Sequence, residues 1–326
     1  MAHIMISEKR QLTGIHHVTA IAGDPQENVD FYSGILALRF IKLTVNFDDP
    51  SAYHLYFGDE IGNPGTILTF FSWPGAQRGR RGSGQAVACS FSVPEGSLDY
   101  WMDRLAAHAV NFDAPRNRLA EEFIALKDPD GLQLELVAHA GADARSGWAQ
   151  GSVPGAFTIR GVHGVTLNER YPERTARYLQ DILKFRNAGE SPDVFRMETG
   201  DGGAGTIVNI QKSSADPMGL VAVGSIHHVA WRTPDDQGQN SWRDDLLGCG
   251  INVTPIVDRQ YFRSIYFREP GGVLFEIATD LPGFLVDETK EELGMQLRLP
   301  PWHEERRAII ERSLPPIRSR PLVKTP

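Results

Sequence analysis

The sequence predicts an α+β fold in which four strand–helix–three-strand units form two curved-sheet domains. Internal repeats predict it. The segment Thr13-Gly-Ile-His-His-Val-Thr-Ala-Ile returns as Ser225-Ile-His-His-Val-Ala-Trp and, degraded, as Arg160-Gly-Val-His-Gly-Val-Thr-Leu. Phe31-Tyr-Ser-Gly-Ile-Leu-Ala-Leu is echoed by Tyr178-Leu-Gln-Asp-Ile-Leu-Lys-Phe. Gly65-Thr-Ile-Leu-Thr-Phe is matched by Gly205-Thr-Ile-Val-Asn-Ile, and Asp128-Pro-Asp-Gly-Leu-Gln-Leu-Glu135 by Glu269-Pro-Gly-Gly-Val-Leu-Phe-Glu276.

Each element follows from its residues. The His-containing repeats are short, apolar and rich in β-branched residues, which predicts a strand. The second pair has apolar residues at helical spacing, preceded by Asp24-Pro25 and Tyr171-Pro172, where proline suits a first turn. A further helix is expected from Leu98 to His108. The last two pairs open on turn residues and continue as strands. The units are therefore 13–73, 84–140, 158–212 and 224–280. One unit cannot bury both faces of its sheet, so units must pair and close a curved sheet around a cavity. Pairing neighbours gives an N-terminal domain over 11–140 and a C-terminal domain over 156–284. A tail over 285–326 carries a short helix from Glu304 to Arg312. The basic loop Arg78-Gly-Arg-Arg-Gly-Ser-Gly reads as a solvated connection.

Composition narrows the function. The chain has 326 residues, 41% hydrophobic and 23% charged, with a net charge of -8. An acidic chain has no general attraction for nucleic acid or anionic membranes. No apolar run is long enough to span a bilayer, and residues 1–10, which start like an expression remnant, lack a signal peptide's apolar core. Cys89 and Cys249 stand outside any C-x-x-C pair, which predicts two half-buried, reduced thiols in a cytoplasmic protein. Any metal must then be held by histidine and carboxylate.

Strand alternation assigns faces. Val273, Phe275 and Ile277 share the helix-facing side, and Leu274, Glu276 and Ala278 the cavity side. By the same reading His17, Thr19, His228 and Tyr266 face the cavity. The repeats show where ligands are missing: Gly164 stands at the position of His17, and Ala88 at that of His228. One metal site is therefore expected, shared by the first and last units, with His17, His228 and Glu276 as ligands. Two imidazoles and one carboxylate suit a non-haem Fe(II) oxygenase, although Mn(II), Co(II) and Zn(II) accept the same donors. His54 is left open between cavity wall and surface, and His163 reads as structural.

The two His-His segments, together with Asp258-Arg-Gln-Tyr-Phe-Arg-Ser-Ile-Tyr-Phe-Arg-Glu-Pro-Gly-Gly-Val-Leu-Phe-Glu276 and the tail Leu299-Pro-Pro-Trp-His-Glu, resemble the hydroquinone ring-cleaving dioxygenases of the vicinal oxygen chelate (glyoxalase) superfamily. The resemblance covers nearly the whole chain. It implies four βαβββ modules, a single Fe(II), and a small aromatic substrate of the hydroquinone class cleaved with O2 next to a hydroxyl-bearing carbon. It also implies roles for Arg259, Tyr266, His16, Thr19 and His227 around the metal. Alternation puts His16 and His227 on the helix side, so they contribute only if a bulge turns them inward. Tyr266 is the first candidate for proton transfer and His227 the second, the latter because an unperturbed imidazole titrates near neutrality. Arg259 would hold an anionic oxygen. Self-association into a homo-oligomer stays open. The competing readings are a glyoxalase-like isomerase or lyase, which wants an extra carboxylate such as Glu135, and a small-molecule binding protein that needs no metal.

Overall fold

The computed structural model describes residues 11–213 and 217–318. The four units keep the order the repeats predict. Unit 1 contributes β1 (Ile15–Ala22), β2 (Arg39–Val45), β3 (Tyr53–Gly58) and β4 (Ile67–Ser72); unit 2 contributes β5 (Gln85–Pro94), β6 (Arg116–Arg118), β7 (Glu121–Lys127) and β8 (Gln133–His139). Unit 3 contributes β9 (Val162–Glu169), β10 (Arg186–Ser191), β11 (Val194–Glu198) and β12 (Ile207–Lys212); unit 4 contributes β13 (Ile226–Thr233), β14 (Val257–Asp258), β15 (Arg263–Arg268) and β16 (Leu274–Thr279).

Helices begin where capping chemistry places them. Asp24 accepts hydrogen bonds from the backbone of Gln26 and Glu27, starting α1 (Pro25–Val29), which runs on into a π-helical turn over Asp30–Ile35. The helix expected from Leu98 is α2 (Leu98–Ala107), with His108 as its cap residue. Pro172 opens α3 (Pro172–Asp181), and Asp235 caps α4 (Asp236–Gly248) through the N–H of Gly238. The apolar strand faces expected from alternation are buried against these helices: Val18, Val229, Trp231, Phe275 and Ile277 join Trp242 and Leu246 of α4 in one core. Full burial of such side chains contributes about 1.5–3 kcal/mol each.

The pairing of units differs from the expectation. One eight-stranded sheet has the order β14-β15-β16-β13-β1-β4-β3-β2 and the other β10-β11-β12-β9-β5-β8-β7-β6. Units 1 and 4 thus share one sheet and units 2 and 3 the other, so the sheets do not follow the division into 11–140 and 156–284. Every first strand offers a similar edge, and similarity among repeats cannot choose its partner. The linkers do: they run side by side, bridging Arg78 to Val223, Arg80 to Leu220 and Ser83 to Met218. The basic loop is therefore spent on a chain–chain contact, which carries the chain from the first sheet to the second and back.

The antiparallel β1–β13 pair joins units 1 and 4, with His17 opposite Ala230 and Thr19 opposite His228. The register slips twice, between Ile15 and His17 and between Ile226 and His228. His16 and His227 are the extra residues at these two bulges.

The tail is anchored on the first sheet. Lys42 is fully buried and donates to Asp287 at 2.6 Å, to Glu288 and to the carbonyl of Phe284. Leu297 bridges Leu43, and the His303 ring meets the carbonyl of Phe47 at 2.9 Å. The helix expected over 304–312 is a 3-10 turn (Pro301–Arg306) followed by α5 (Arg307–Ser313). Both cysteines are free; Cys89 is fully buried rather than half-buried. Among the described residues, no helix is long and apolar enough to cross a membrane.

Candidate metal centre

The β1–β13 junction and the parallel β13–β16 pair bring three side chains to one point. His17 Nε2 lies 3.3 Å from His228 Nε2 and 3.5 Å from Glu276 Oε2, and His228 Nε2 lies 2.9 Å from the same oxygen. They are separated by up to 259 positions in the chain, yet all three are buried, and among the described residues they are the one group with metal-ligand geometry.

The hydrogen bonds decide what this group can be. His17 Nδ1 faces His16 Nδ1 at 2.9 Å, and His228 Nδ1 faces His227 Nδ1 at 2.8 Å. The remaining hydrogen-bond neighbour of the His16 ring is the backbone carbonyl of Thr279. A carbonyl only accepts, and burial pushes the His16 ring well below its usual pKa, so His16 is neutral with its hydrogen on that side. His17 then donates from Nδ1, and its Nε2 is the atom turned to Glu276 and His228. Ser264 donates to Glu276 Oε1, while Oε2 is buried without a hydrogen-bond partner of good geometry. Burial alone would raise the Glu276 carboxyl, but the neighbouring imidazoles outweigh it and hold it well below the usual carboxylate range. Burial also lowers His228, against the pull of Glu276. An ionised carboxylate and two imidazole nitrogens converging on one buried point need positive charge between them, a shared proton or a metal cation. The donor set therefore fits a divalent metal.

The two bulges resolve the conflict over His16 and His227. Each extra residue turns its ring inward, behind the histidine that follows it. Such partners fix the tautomer of a metal-binding imidazole, and their loss typically weakens binding about 10–100-fold. His16→Ala is accordingly expected to weaken metal binding by a factor in that range without removing a ligand; a competitive chelator titration measures it.

The centre opens on a cavity of about 230 Å³ lined by Phe47, Phe71, Trp73, Phe262 and Leu274 beside polar His54, Tyr56, His227, Arg259 and Tyr266. An apolar cavity of about 150 Å³ accepts benzene, so this one is sized for a single substituted ring. Tyr266 stands opposite Glu276 across the β15–β16 pair. Arg259 donates from Nε to the Tyr266 hydroxyl at 3.0 Å and from Nη1 to Asp48 at 2.8 Å, with its guanidinium over the Tyr266 ring. Burial keeps the Tyr266 phenol protonated; its oxygen accepts from Arg259, and the Ser264 hydroxyl is its second hydrogen-bond neighbour. The near-neutral pKa expected of His227 does not survive its surroundings: burial, with His228 beside it, pushes it down to about 3.

Two expected site residues lie behind the wall rather than on it. His16 touches His17, and Thr19 is fully buried with its hydroxyl 3.0 Å from that of Thr69. Both can orient neighbours but neither faces the cavity. His54 is the residue that sequence reasoning left undecided. Alternation was the available signal, since Leu55 and Phe57 pack into the core and His54 and Tyr56 fall on the opposite face.

The register also locates the repeat equivalent of Glu276 within this sheet. Thr69 pairs with Thr19 and Tyr56 as Glu276 pairs with Ala230 and Tyr266. Where the repeat would place a fourth donor there is a threonine whose hydroxyl is held by Thr19 and by His54 Nε2 at 2.8 Å. Glu135, the spare carboxylate of the isomerase reading, belongs to the other sheet.

In that sheet the corresponding position is closed. A Cβ on Gly164 would lie 2.8 Å from the Ile207 carbonyl oxygen, so no side chain fits there without a shift. Glu135 is clasped by both terminal nitrogens of Arg118, at 3.0 and 2.6 Å, and by Ser90. A guanidinium supplies the positive charge there. Glu135→Ala strands a mostly buried cation and is expected to cost about 3–5 kcal/mol, readable as a lower denaturation midpoint.

Comparison with known proteins agrees with this geometry. Residues 14–136 match the family model described as Glyoxalase/Bleomycin resistance protein/Dioxygenase superfamily. The chain is 44% identical over 315 residues to MhqO of Bacillus subtilis (strain 168), assigned as a ring-cleaving dioxygenase, covering 96% of this chain and 99% of the relative. It is 32% identical over 308 residues to the chlorohydroquinone/hydroquinone 1,2-dioxygenase of Sphingobium indicum, covering 92% and 95% respectively. Among solved structures, one from Bacillus subtilis subsp. subtilis str. 168, assigned as a dioxygenase, has a TM-score of 0.89 at 43% identity, covering 95% of this chain and 99% of that one. Glyoxalase I from Zea mays shares the fold at a TM-score of 0.61 and 13% identity, covering 82% and 92%. The chain belongs to the ring-cleaving dioxygenase family of the glyoxalase/bleomycin resistance protein/dioxygenase superfamily.

Proposed function

We propose that this protein is an Fe(II)-dependent dioxygenase that opens hydroquinone-type rings, substituted or chlorinated ones included, and incorporates both atoms of O2. The observation that carries this reading is the convergence of His17 Nε2, His228 Nε2 and Glu276 Oε2 beside an aromatic-lined cavity of one-ring size. Thr69 in place of a fourth donor supports it further, because a three-donor site leaves positions for substrate and O2. The relatives' names supply the substrate class. Two free cysteines suit a reducing, cytoplasmic setting.

His17, His228 and Glu276 would hold the ion, and Fe(II) bound there supplies Lewis acidity and the electron exchange that O2 chemistry requires. The protein's own groups do the rest. Phe71, Phe262 and Trp73 exclude water and give the ring a flat apolar bed. Arg259, tied to Asp48 on one side, presents fixed positive charge to an oxygen that becomes anionic. Tyr266, its hydroxyl oriented by Arg259 and neighboured by Ser264, would turn its hydrogen to the substrate. His16 and His227 hold the ligand imidazoles by their Nδ1 atoms.

The test is anaerobic Fe(II) reconstitution followed by a panel of hydroquinones and catechols monitored for oxygen loss. The reading expects one O2 consumed per hydroquinone. Uptake with catechols alone would move the substrate class, and a fully iron-loaded protein inert towards both would end the dioxygenase assignment.

A further inference from the structure

Tyr56 and Tyr266 are mates under the internal repeat. Leu55-Tyr56-Phe57 on β3 corresponds to Ile265-Tyr266-Phe267 on β15. Tyr56 lies opposite Thr69 as Tyr266 lies opposite Glu276. The sheet places β3 two strands beyond β1 and β15 two strands beyond β13, so the tyrosines sit on the two opposed arms of the same curved sheet. Both line the cavity. Each has a fixed partner at its hydroxyl: Arg259 Nε for Tyr266, and His54 Nδ1, at 2.9 Å, for Tyr56.

The partner of Tyr56 is itself locked. The His54 ring packs on Phe71 and on the Tyr56 ring, and its Nε2 meets Thr69 Oγ1 at 2.8 Å, which meets Thr19 Oγ1 at 3.0 Å. Four side chains, Tyr56, His54, Thr69 and Thr19, make three hydrogen bonds. With His54 neutral they bring four polar hydrogens, so one is left over. Thr19 and Thr69 are fully buried and do not reach the cavity, whereas the Tyr56 hydroxyl does. When His54 donates from Nδ1, the spare hydrogen points from Tyr56 into the cavity. Burial keeps this phenol protonated. A buried chain of this length, ending in a hydroxyl on a cavity-lining residue, is more than packing requires: Phe would fill the same volume.

We propose that Tyr56 is a substrate-contacting residue, facing Tyr266 across the cavity and hydrogen-bonding a substrate oxygen within it, with His54 and Thr69 as its positioning residues. This rests on reading the cavity as a ring-cleaving site. The two tyrosines then bracket one oxygen from opposite arms, and the ring extends from it towards Phe71 and Trp73.

The test is anaerobic titration of the Fe(II)-loaded protein with hydroquinone and with phenol, which shares only the first oxygen. Tyr56→Phe is expected to weaken both ligands by a similar factor of about ten, the size of a hydrogen bond to an ionised oxygen, while Fe(II) affinity stays at the wild-type value. His54→Gln should weaken both in the same direction. The double variant should lose no more than Tyr56→Phe, because the two residues act as one unit. Thr69→Val, nearly isosteric, gives a third probe should the His54 variant fail to fold, and should weaken both ligands too. Unchanged binding of both ligands by Tyr56→Phe overturns the contact, and losses that multiply in the double variant overturn the positioning role of His54. Failure of the wild-type protein to bind either ligand would instead overturn the ring-cleaving reading beneath it.

Discussion

Glu276→Gln is expected to abolish the rise in melting temperature that bound Fe(II) would give the wild-type protein. The carboxylate is buried, with Oε1 held by Ser264 and Oε2 facing two imidazole nitrogens. In the metal-free state the amide keeps the shape and can still accept from Ser264. With metal the charge of the carboxylate counts. A ligand at 100 times its dissociation constant stabilises by about 2.7 kcal/mol, which for a chain of this size shifts the midpoint by about 5 °C. Anaerobic thermal scans with and without Fe(II) measure the shift. A Glu276→Gln protein that responds to Fe(II) as the wild type does would falsify the assignment of the ligand set.

The second large effect is expected at Tyr266. Tyr266→Phe keeps the ring that the Arg259 guanidinium covers and that meets His228 edge-on, so the metal centre should load normally. What it loses is the hydroxyl that Arg259 fixes beside the cavity, the proposed proton donor. A positioned proton donor is worth about 10²–10⁴-fold in rate, so turnover should fall by at least about 100-fold at unchanged iron content. Oxygen-uptake kinetics on iron-quantified samples decide it. Unaltered turnover would leave Tyr266 a packing residue and pass the donor role elsewhere on the wall.

The convergence of His17, His228 and Glu276 was legible in the sequence because the repeats supply their own control. Two copies keep the second histidine, two copies replace it with Gly164 or Ala88, and alternation puts Glu276 on the same face. The partnership of units was not legible, since it depends on which strand edges meet and on the side-by-side course of two linkers. The inward turn of His16 and His227 was written in the same place: a bulge exists only relative to a partner strand, and the partner of β1 lies in the last unit. His54 and Thr69 show a different limit. Their faces followed from alternation, but Thr69 acquires meaning only when the register sets it in the place of a carboxylate, and His54 only when it is seen holding that threonine.

Sharing a sheet between the first and last units also governs when the site comes into being. His17 and His228 are 211 positions apart, and β1 has its antiparallel neighbour only in β13. During synthesis the first unit must wait, one strand edge bare, until two further units and the first strand of the fourth have emerged. Such distant pairing is slow to form and exposes a template for aggregation in the interval. Completion of the trio thus marks the end of assembly, and a chain stopped before β13 would hold no more than a single histidine of it.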